Sequence, residues 1–96
     1  MDSSDVWIKD ADMRGDMQKT AVSLAKAAIY VHQENEKQLA NRLQGEFDSR
    51  YGGPWHCIVG RHYATKVCHE PGGYLYFYIN GEGVLLFKAL RDMPQG

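Results

Sequence analysis

The chain lacks the excess of one charge that would indicate a charged partner and the long apolar run that would indicate a membrane span. Its 11 Lys and Arg residues are balanced by 12 Asp and Glu residues, for a formal net charge of -1, so electrostatics give no reason to expect nucleic acid or an anionic membrane as a partner. No run approaches the ~18 consecutive apolar residues of a membrane-spanning helix. Residues 1–5 lack the basic and then apolar layout of a secretory signal. We therefore expect a cytoplasmic protein.

Cysteine is also scarce, and the two that occur, Cys57 and Cys68, lie in apolar segments of strand type. Two cysteines in a cytosolic chain are more often buried thiols than a disulfide. His56-Cys57 and Cys68-His69 combine the residue types that bind zinc, but adjacent side chains of a strand point to opposite faces. Four ligands from one sheet are thereby excluded, and we expect no metal and no cofactor.

Length limits the chain to one domain. Its 96 residues, of which 44% are hydrophobic, suffice for one modest core and not for two. We expect this domain to cover residues 6–90, between flexible ends at residues 1–5 and 91–96.

Two segments have apolar residues at helical spacing. The first runs from Asp12, a possible N-cap, to about Gln33. The second begins at Asn35, which forms a capping-box pair with Gln38. Gly52-Gly53-Pro54 ends it, because glycine can adopt the left-handed C-terminal conformation and proline cannot continue a helix.

The remaining segments are rich in the branched and aromatic residues that favour strands. Strands are predicted at residues 6–9, 55–59, 61–70, 74–79 and 82–90. Pro71-Gly72-Gly73 is predicted as a turn, and Asn80-Gly81 as the type I′ turn of a hairpin. The order β-α-α-β-β-β-β predicts an α+β fold with two helices packed on an antiparallel sheet.

The predicted hairpin is apolar on both faces. Tyr74, Tyr76 and Tyr78 share one face, and the apolar residues between them share the other, because strand side chains alternate. Two helices can cover only one face, and the other would be a larger apolar patch than soluble monomers usually expose. This pattern favours a two-fold homodimer. The alternative is a monomer whose tyrosine hydroxyls lie at the surface.

The segment from Arg61 to Glu70 is long, mixed in polarity and free of proline. Such a strand either pairs with another subunit or offers its backbone to an extended peptide. The alternative is an ordinary solvent-facing edge that Arg61 and Lys66 shield from further pairing.

Several motifs resemble those of the dynein light chain family, of the "light chain eight" type, along nearly the whole chain from Val6 to Lys88. The most specific is Trp55-His56-Cys57-Ile58-Val59-Gly60-Arg61. The others are Ile8-Lys9, Ala11-Asp12-Met13, Glu46-Phe47-Asp48, His69-Glu70, Tyr76-Phe77-Tyr78 and Leu85-Leu86-Phe87-Lys88. The resemblance implies a strand-exchanged homodimer with two sheets that face each other, in which the strand at 61–70 crosses to the partner.

The resemblance also implies a non-catalytic light chain or hub, associated with the cytoskeleton and serving as an accessory subunit of a dynein motor. Each of two grooves would bind an extended peptide, often with Thr-Gln-Thr, from a dynein intermediate chain or another disordered partner. The implied peptide-binding residues are Glu36, Lys37, Arg61, His62, Tyr63, Ala64, Thr65, Lys66, Val67, Cys68, Tyr76 and Tyr78. The implied dimer interface contains His56, Ile58, Tyr63, Lys66, Val67, Cys68 and His69.

Some residues depart from the family pattern and keep other functions open. Lys66 stands where most members have an aromatic residue, and Cys68 stands where they have a threonine. One alternative is therefore a hub independent of dynein, or a structural dimer with an altered groove. Another is a small thiol enzyme that uses Cys57, although its apolar neighbours favour a buried thiol. A further hypothesis is that acid protonates His56 at the interface and loosens the dimer.

Overall fold

A computed structural model describes residues 5–60 and 68–90 of the chain. Four strands form one antiparallel sheet in the order β1-β3-β4-β2. In chain order the elements are β1 (Val6–Asp12), α1 (Gly15–Lys26) with a π-helical turn at Ala27–Val31, α2 (Glu36–Tyr51), β2 (Trp55–Gly60), β3 (His69–Ile79) and β4 (Glu82–Ala89). The predicted α+β fold, with two helices on an antiparallel sheet, is confirmed. Within residues 5–60 and 68–90, no helix has the length and apolar character needed to span a bilayer.

Helix α2 begins and ends where the sequence predicts. The Gln38 amide donates to Asn35 Oδ1 at 2.8 Å, and the Asn35 amide donates to Gln38 Oε1 at 2.9 Å. This reciprocal capping box satisfies two backbone donors at the helix start. At the other end Gly52 has φ 73, the left-handed region that glycine adopts without strain.

Helix α1 does not begin as predicted. Asp12 is the last residue of β1 and pairs with Tyr74, and its Oδ2 accepts a hydrogen bond from the Gly72 amide at 3.1 Å. The N-cap position belongs to Arg14, whose side chain makes no capping hydrogen bond. The prediction of Asp12 as the cap is wrong, because a partner 60 residues away in sequence binds its carboxylate.

The core lies between the helices and one face of the sheet. Both helices bury their apolar stripe, through Met17, Ala21, Ala25, Leu39, Leu43 and Phe47. The sheet contributes Trp55, Leu75, Phe77, Ile79, Val84 and Leu86. Trp55 is fixed by an edge-to-face contact with Phe47 at 4.9 Å and by an indole N–H bond to the Gly52 carbonyl at 2.8 Å. Each large side chain buried in this way stabilises the fold by about 1.5–3 kcal/mol.

The β3–β4 hairpin turns at Asn80 and Gly81, with φ 52 and φ 80, as the type I′ prediction requires. The predicted turn at Pro71-Gly72-Gly73 is wrong, because these residues lie inside β3, where the pairing with β4 is irregular between His69 and Tyr74. Gly73 is needed there, since a Cβ would lie 2.9 Å from the Cβ of Lys88.

The predicted strand at 61–70 is tested at only one end, because residues 61–67 lie outside the described residues. Cys68 is not part of a strand. His69 and Glu70 belong to β3 rather than to a separate strand, so the predicted boundary there is wrong.

Candidate functional site

The sheet has a second face, directed away from the helices, which we call the tyrosine face. The register of the strands places three rows of residues across it. From β1 to β2 these rows are Trp7-Tyr78-Gly83-Gly60, Asp10-Tyr76-Leu85-Ile58 and Asp12-Tyr74-Phe87-His56. The predicted alternation of the β3 side chains is therefore confirmed.

Two tyrosines form the middle of this face. The hydroxyls of Tyr76 and Tyr78 lie 3.2 Å apart, and their ring centroids lie 5.5 Å apart. This hydrogen bond, together with burial, raises the pKa of Tyr76 to about 12. A Cβ on Gly83 would lie 3.3 Å from Cε1 of Tyr78 and 3.0 Å from the Gly60 carbonyl oxygen. The absence of a side chain at Gly83 thus allows the tyrosine rings to lie close over the sheet.

The two edges of the tyrosine face differ in their exposed side chains. At the β2 edge His56 is exposed and Ile58 is 49% exposed; the His56 ring lies 5.5 Å from that of Phe87. At the β1 edge Trp7 is 59% exposed. Between these edges Tyr76 is buried. On this side of the sheet the exposed apolar side chains therefore lie at the two edges, and the middle of the face is buried.

Hydrogen bonds and a salt bridge hold the start of β3 in place. The His69 ring stacks on Tyr74 with centroids 4.8 Å apart, and its Nδ1 lies 2.9 Å from the Glu70 carbonyl oxygen. Glu70 in turn forms a salt bridge with Lys88 at 3.6 Å. The predicted interface residue His69 is thus anchored at the end of the tyrosine face, while its neighbour Cys68 is exposed.

The start of α2 lies close to the end of β2. Glu36 and Lys37 are exposed, and Glu36 Oε1 lies 3.7 Å from the place that a Cβ on Gly60 would occupy. A cleft of about 270 Å³ at this corner is lined by Ile29, Glu34, Asn35, Glu36, Leu39, Val59, Asn80 and Glu82. The predicted peptide-binding residues Glu36 and Lys37 therefore lie beside the point where the chain continues into residue 61.

The structure brings together only part of the predicted site. Glu36 and Lys37 lie at the start of α2, Tyr76 and Tyr78 on the tyrosine face, and Cys68 just before β3. The other predicted peptide-binding residues, which include the interface residues Tyr63, Lys66 and Val67, lie outside the described residues; they are Arg61, His62, Tyr63, Ala64, Thr65, Lys66 and Val67.

Cys57 lies on the helix side of the sheet, packed against the core. Burial raises the pKa of its thiol to about 12, so almost no nucleophilic thiolate exists at neutral pH. Within residues 5–60 and 68–90 no group of three or more His, Cys, Asp or Glu side chains is arranged to hold a metal ion.

Trp7 was missed as a site residue. The sequence predicts a strand from Val6 to Lys9, but not the neighbour against which each face packs. Trp7 stacks on Tyr78 with centroids 5.3 Å apart and an interplanar angle of 12°. The signal that the sequence offered was a bulky aromatic residue followed two positions later by Lys9.

Comparison with known proteins agrees with this geometry. The family model described as "Dynein light chain type 1" matches residues 5–89. The chain is 44% identical over 82 residues to a dynein light chain of Schistosoma mansoni, covering 85% of this chain and 91% of the relative. It is 42% identical over 88 residues to a cytoplasmic dynein light chain of Emericella nidulans, covering 92% of this chain and 93% of the relative.

Solved structures share the fold at lower sequence identity. The dynein light chain-like domain of the Fasciola hepatica calcium binding protein FhCaBP2 superimposes with a TM-score of 0.80 at 21% identity, covering 95% of this chain and 98% of that chain. The DLC like domain of CsTAL3 superimposes with a TM-score of 0.69 at 18% identity, covering 88% and 93%. The family model and the curated relatives span most of the sequence, and the chain belongs to the dynein light chain family.

Proposed function

We propose that this chain is a non-catalytic, dimeric light chain that binds short extended peptides and serves as an accessory subunit of a dynein motor in the cytoplasm, at the cytoskeleton. The observation that carries the proposal is the tyrosine face, which the helices leave uncovered. Names of relatives at 42–44% identity, "Dynein light chain" and "Dynein light chain, cytoplasmic", support the motor assignment.

The β2 edge supports a subunit contact. Among the described strands β2 pairs only with β4, so its outer side offers backbone donors and acceptors to a further strand. Exposed His56 and Ile58 lie along that edge on the tyrosine face. In the proposed dimer the strand predicted at 61–70, of which His69 and Glu70 belong to β3, crosses over to pair with the partner's sheet, and the two sheets face each other.

The guest peptide is proposed to add as an antiparallel strand along Arg61 to Cys68. Backbone hydrogen bonds of this kind give affinity that is nearly independent of sequence, while a few pockets select side chains. Tyr76 and Tyr78 form the floor of the groove, and Glu36 and Lys37 of the other subunit meet the glutamine of Thr-Gln-Thr. Two grooves in one dimer give avidity for a bivalent partner through effective concentration.

A thiol enzyme is the less favoured function, because the raised pKa of Cys57 leaves its sulfur protonated. The proposal therefore expects Cys57→Ser to leave peptide binding unchanged. A structural dimer with an inactive groove differs from both the peptide-binding light chain and the thiol enzyme, since it predicts a stable dimer that binds no peptide.

Isothermal titration with a Thr-Gln-Thr peptide tests the proposed function. We expect one peptide per chain, and at least about tenfold weaker binding of the matched Thr-Ala-Thr peptide, since the polar groups that meet the glutamine would lose their partner. Lys37→Glu should weaken binding, whereas Lys19→Glu, an exposed lysine on α1, should not. A stable dimer that releases no heat with any of these peptides would contradict peptide binding.

A further inference from the structure

A cleft lies between the two helices, on the helix side of the sheet. It has a volume of about 280 Å³ and is lined by Lys19, Thr20, Ser23, Leu24 and Arg50. The first four residues belong to α1, and Arg50 belongs to the last turn of α2. Because the tyrosine face lies on the other side of the sheet, this cleft is separate from the proposed peptide groove.

Contacts within the chain set the floor of the cleft. The Tyr51 hydroxyl donates to Thr20 Oγ1 at 3.3 Å and so links α2 to α1. Leu24 packs against the core. The fold therefore sets the spacing of the two helix backbones that carry Lys19 and Arg50 before any ligand binds, which lowers the cost of ordering the site.

The two cations of the cleft have capacity for an anion. Lys19 is exposed, and within residues 5–60 and 68–90 no carboxylate forms a salt bridge with it. Arg50 donates from Nε to Glu46 at 3.1 Å, and its two terminal nitrogens form no hydrogen bond with a described residue. Asp16, which precedes Lys19 by three residues, is paired with Arg14 at 3.2 Å. Both of these carboxylates are thus already matched by a cation.

Ser23 adds a hydroxyl to the same cleft. It is exposed and follows Lys19 by four residues on α1, so the two side chains lie on one face of the helix. Its hydroxyl makes no hydrogen bond in the part of the chain that the structure describes, and serine favours helix less than alanine does. The fold gives no reason for a hydroxyl at this position, whereas an anion would accept a hydrogen bond from it.

We propose that this cleft binds the phosphate group of a phosphoserine or phosphothreonine of a partner protein. Arg50 and Lys19 donate to the phosphate oxygens from the two walls, and Ser23 donates between them. Hydrogen bonds from arginine and lysine to phosphate belong to the strong, charge-assisted class. The charge of a phosphorylated side chain, which is near -2 at neutral pH, matches the two cations. A carboxylate, with one charge and two oxygens, would engage fewer of these donors.

The surrounding charge favours a phosphopeptide over a membrane or a nucleic acid. Anionic membranes attract clusters of about four to eight basic residues, and nucleic acids attract a basic patch or stripe. The cleft contains two cations, with Asp16 and Glu46 beside them, and the whole chain has a net charge of -1. A single phosphate group between two helices fits this limited positive charge.

The test is a titration of the wild-type chain, followed by NMR, with a nonapeptide of glycine and alanine that has phosphoserine at its centre. Matched peptides have serine or glutamate there. In low salt we expect the phosphoserine peptide to bind at least about tenfold more tightly than the serine peptide, with one peptide per chain. It should shift the amide signals of Lys19, Ser23 and Arg50, and a saturating Thr-Gln-Thr peptide should not displace it.

Charge reversal locates the contact. Lys19→Glu and Arg50→Gln should each weaken the phosphoserine peptide at least about tenfold, since each removes a charge-assisted hydrogen bond. Lys9→Glu is the matched control, because it reverses an exposed lysine on β1, and it should leave this affinity as in wild type. If Lys9→Glu weakened binding as much as Lys19→Glu, net charge and not the cleft would explain it.

Three further results would overturn the inference. The glutamate peptide could bind as tightly as the phosphoserine peptide, inorganic phosphate alone could bind as tightly as the peptide, or phosphatidylserine vesicles could displace the peptide from the cleft. The two sites also fail separately. A dimer that binds Thr-Gln-Thr but no phosphoserine peptide would overturn this inference alone, and a chain that binds only the phosphoserine peptide would overturn the proposed function alone.

Discussion

The two faces of the same sheet differ in how far their apolar side chains are buried. On the helix side Leu75, Phe77 and Leu86 are fully buried by residues of this chain. On the tyrosine side Tyr76 and Leu85 are buried as well, but Trp7 and Ile58, at the two edges, are 59% and 49% exposed. The comparison teaches that burial within the chain determines stability on one face, whereas the exposed apolar side chains at the edges of the other face are proposed to determine association. Substitutions on the two faces should therefore change different measured quantities.

The largest effect is expected on the helix side. Phe47→Ala removes a fully buried ring that contacts Trp55 and Tyr51, and we expect the free energy of unfolding to fall by about 3–5 kcal/mol. Val31→Ala, which truncates a 70% exposed side chain, should change it by about 0.5 kcal/mol or less. Chemical denaturation measures both. If the free energy of unfolding fell equally for the two variants, burial would not explain stability, and the comparison of the two faces would fail.

On the tyrosine side a substitution should break association and spare the fold. Ile58→Asp places a carboxylate in the proposed subunit contact, and we expect the dissociation constant of the dimer to rise at least about 100-fold, because a buried unpaired charge is costly. Sedimentation velocity measures this change, and denaturation of the monomer checks the fold. Val31→Asp is the matched control on the helix side of the molecule. If both substitutions weakened the dimer equally, the β2 edge would not be the subunit contact.

The helix cap should affect stability more weakly. Asn35→Ala breaks the capping box of α2 and is expected to lower the free energy of unfolding by about 1 kcal/mol. Asn41→Ala, at an exposed position inside the same helix, should not lower it, because alanine favours helix more than asparagine does. Thermal melts of the two variants compare them directly. A lower melting temperature for Asn41→Ala than for Asn35→Ala would contradict the role of the cap.

The smallest effect concerns pH. The pKa of Tyr76 is raised to about 12 in the folded chain, so the unfolded chain loses this proton first as pH rises. The stabilisation is complete below about pH 10, the ordinary pKa of tyrosine, and is lost as pH approaches 12. Urea titrations from pH 9 to 12 should show a shallower decline for Tyr76→Phe than for wild type. Identical declines would show that the Tyr76–Tyr78 contact does not shift this pKa.

Local rules allowed much of the fold to be predicted. The capping box at Asn35, the end of α2 at Gly52 and the Asn80-Gly81 turn each depend on residues within a few positions. The alternation of the β3 tyrosines was likewise predictable, because the period of a strand is two residues.

The errors have a common cause, which is pairing between distant segments. Asp12 was assigned to a helix cap, but its carboxylate is bound by Gly72 on β3. The same contact belongs to the irregular part of β3 that was predicted as a turn. The position of Trp7 over Tyr78 depends on the register between β1 and β3, and Lys9 marks a bulge in that pairing. The candidate site was thus predictable as a face of the sheet but not as a set of contacts.

Sedimentation equilibrium of the unaltered chain at micromolar concentration tests the central claim most directly, because the tyrosine face is proposed to be completed by a second copy. We expect a mass near twice 10.9 kDa, about 22 kDa, with no monomer until high dilution. A single species at the monomer mass across the whole concentration range would contradict the claim.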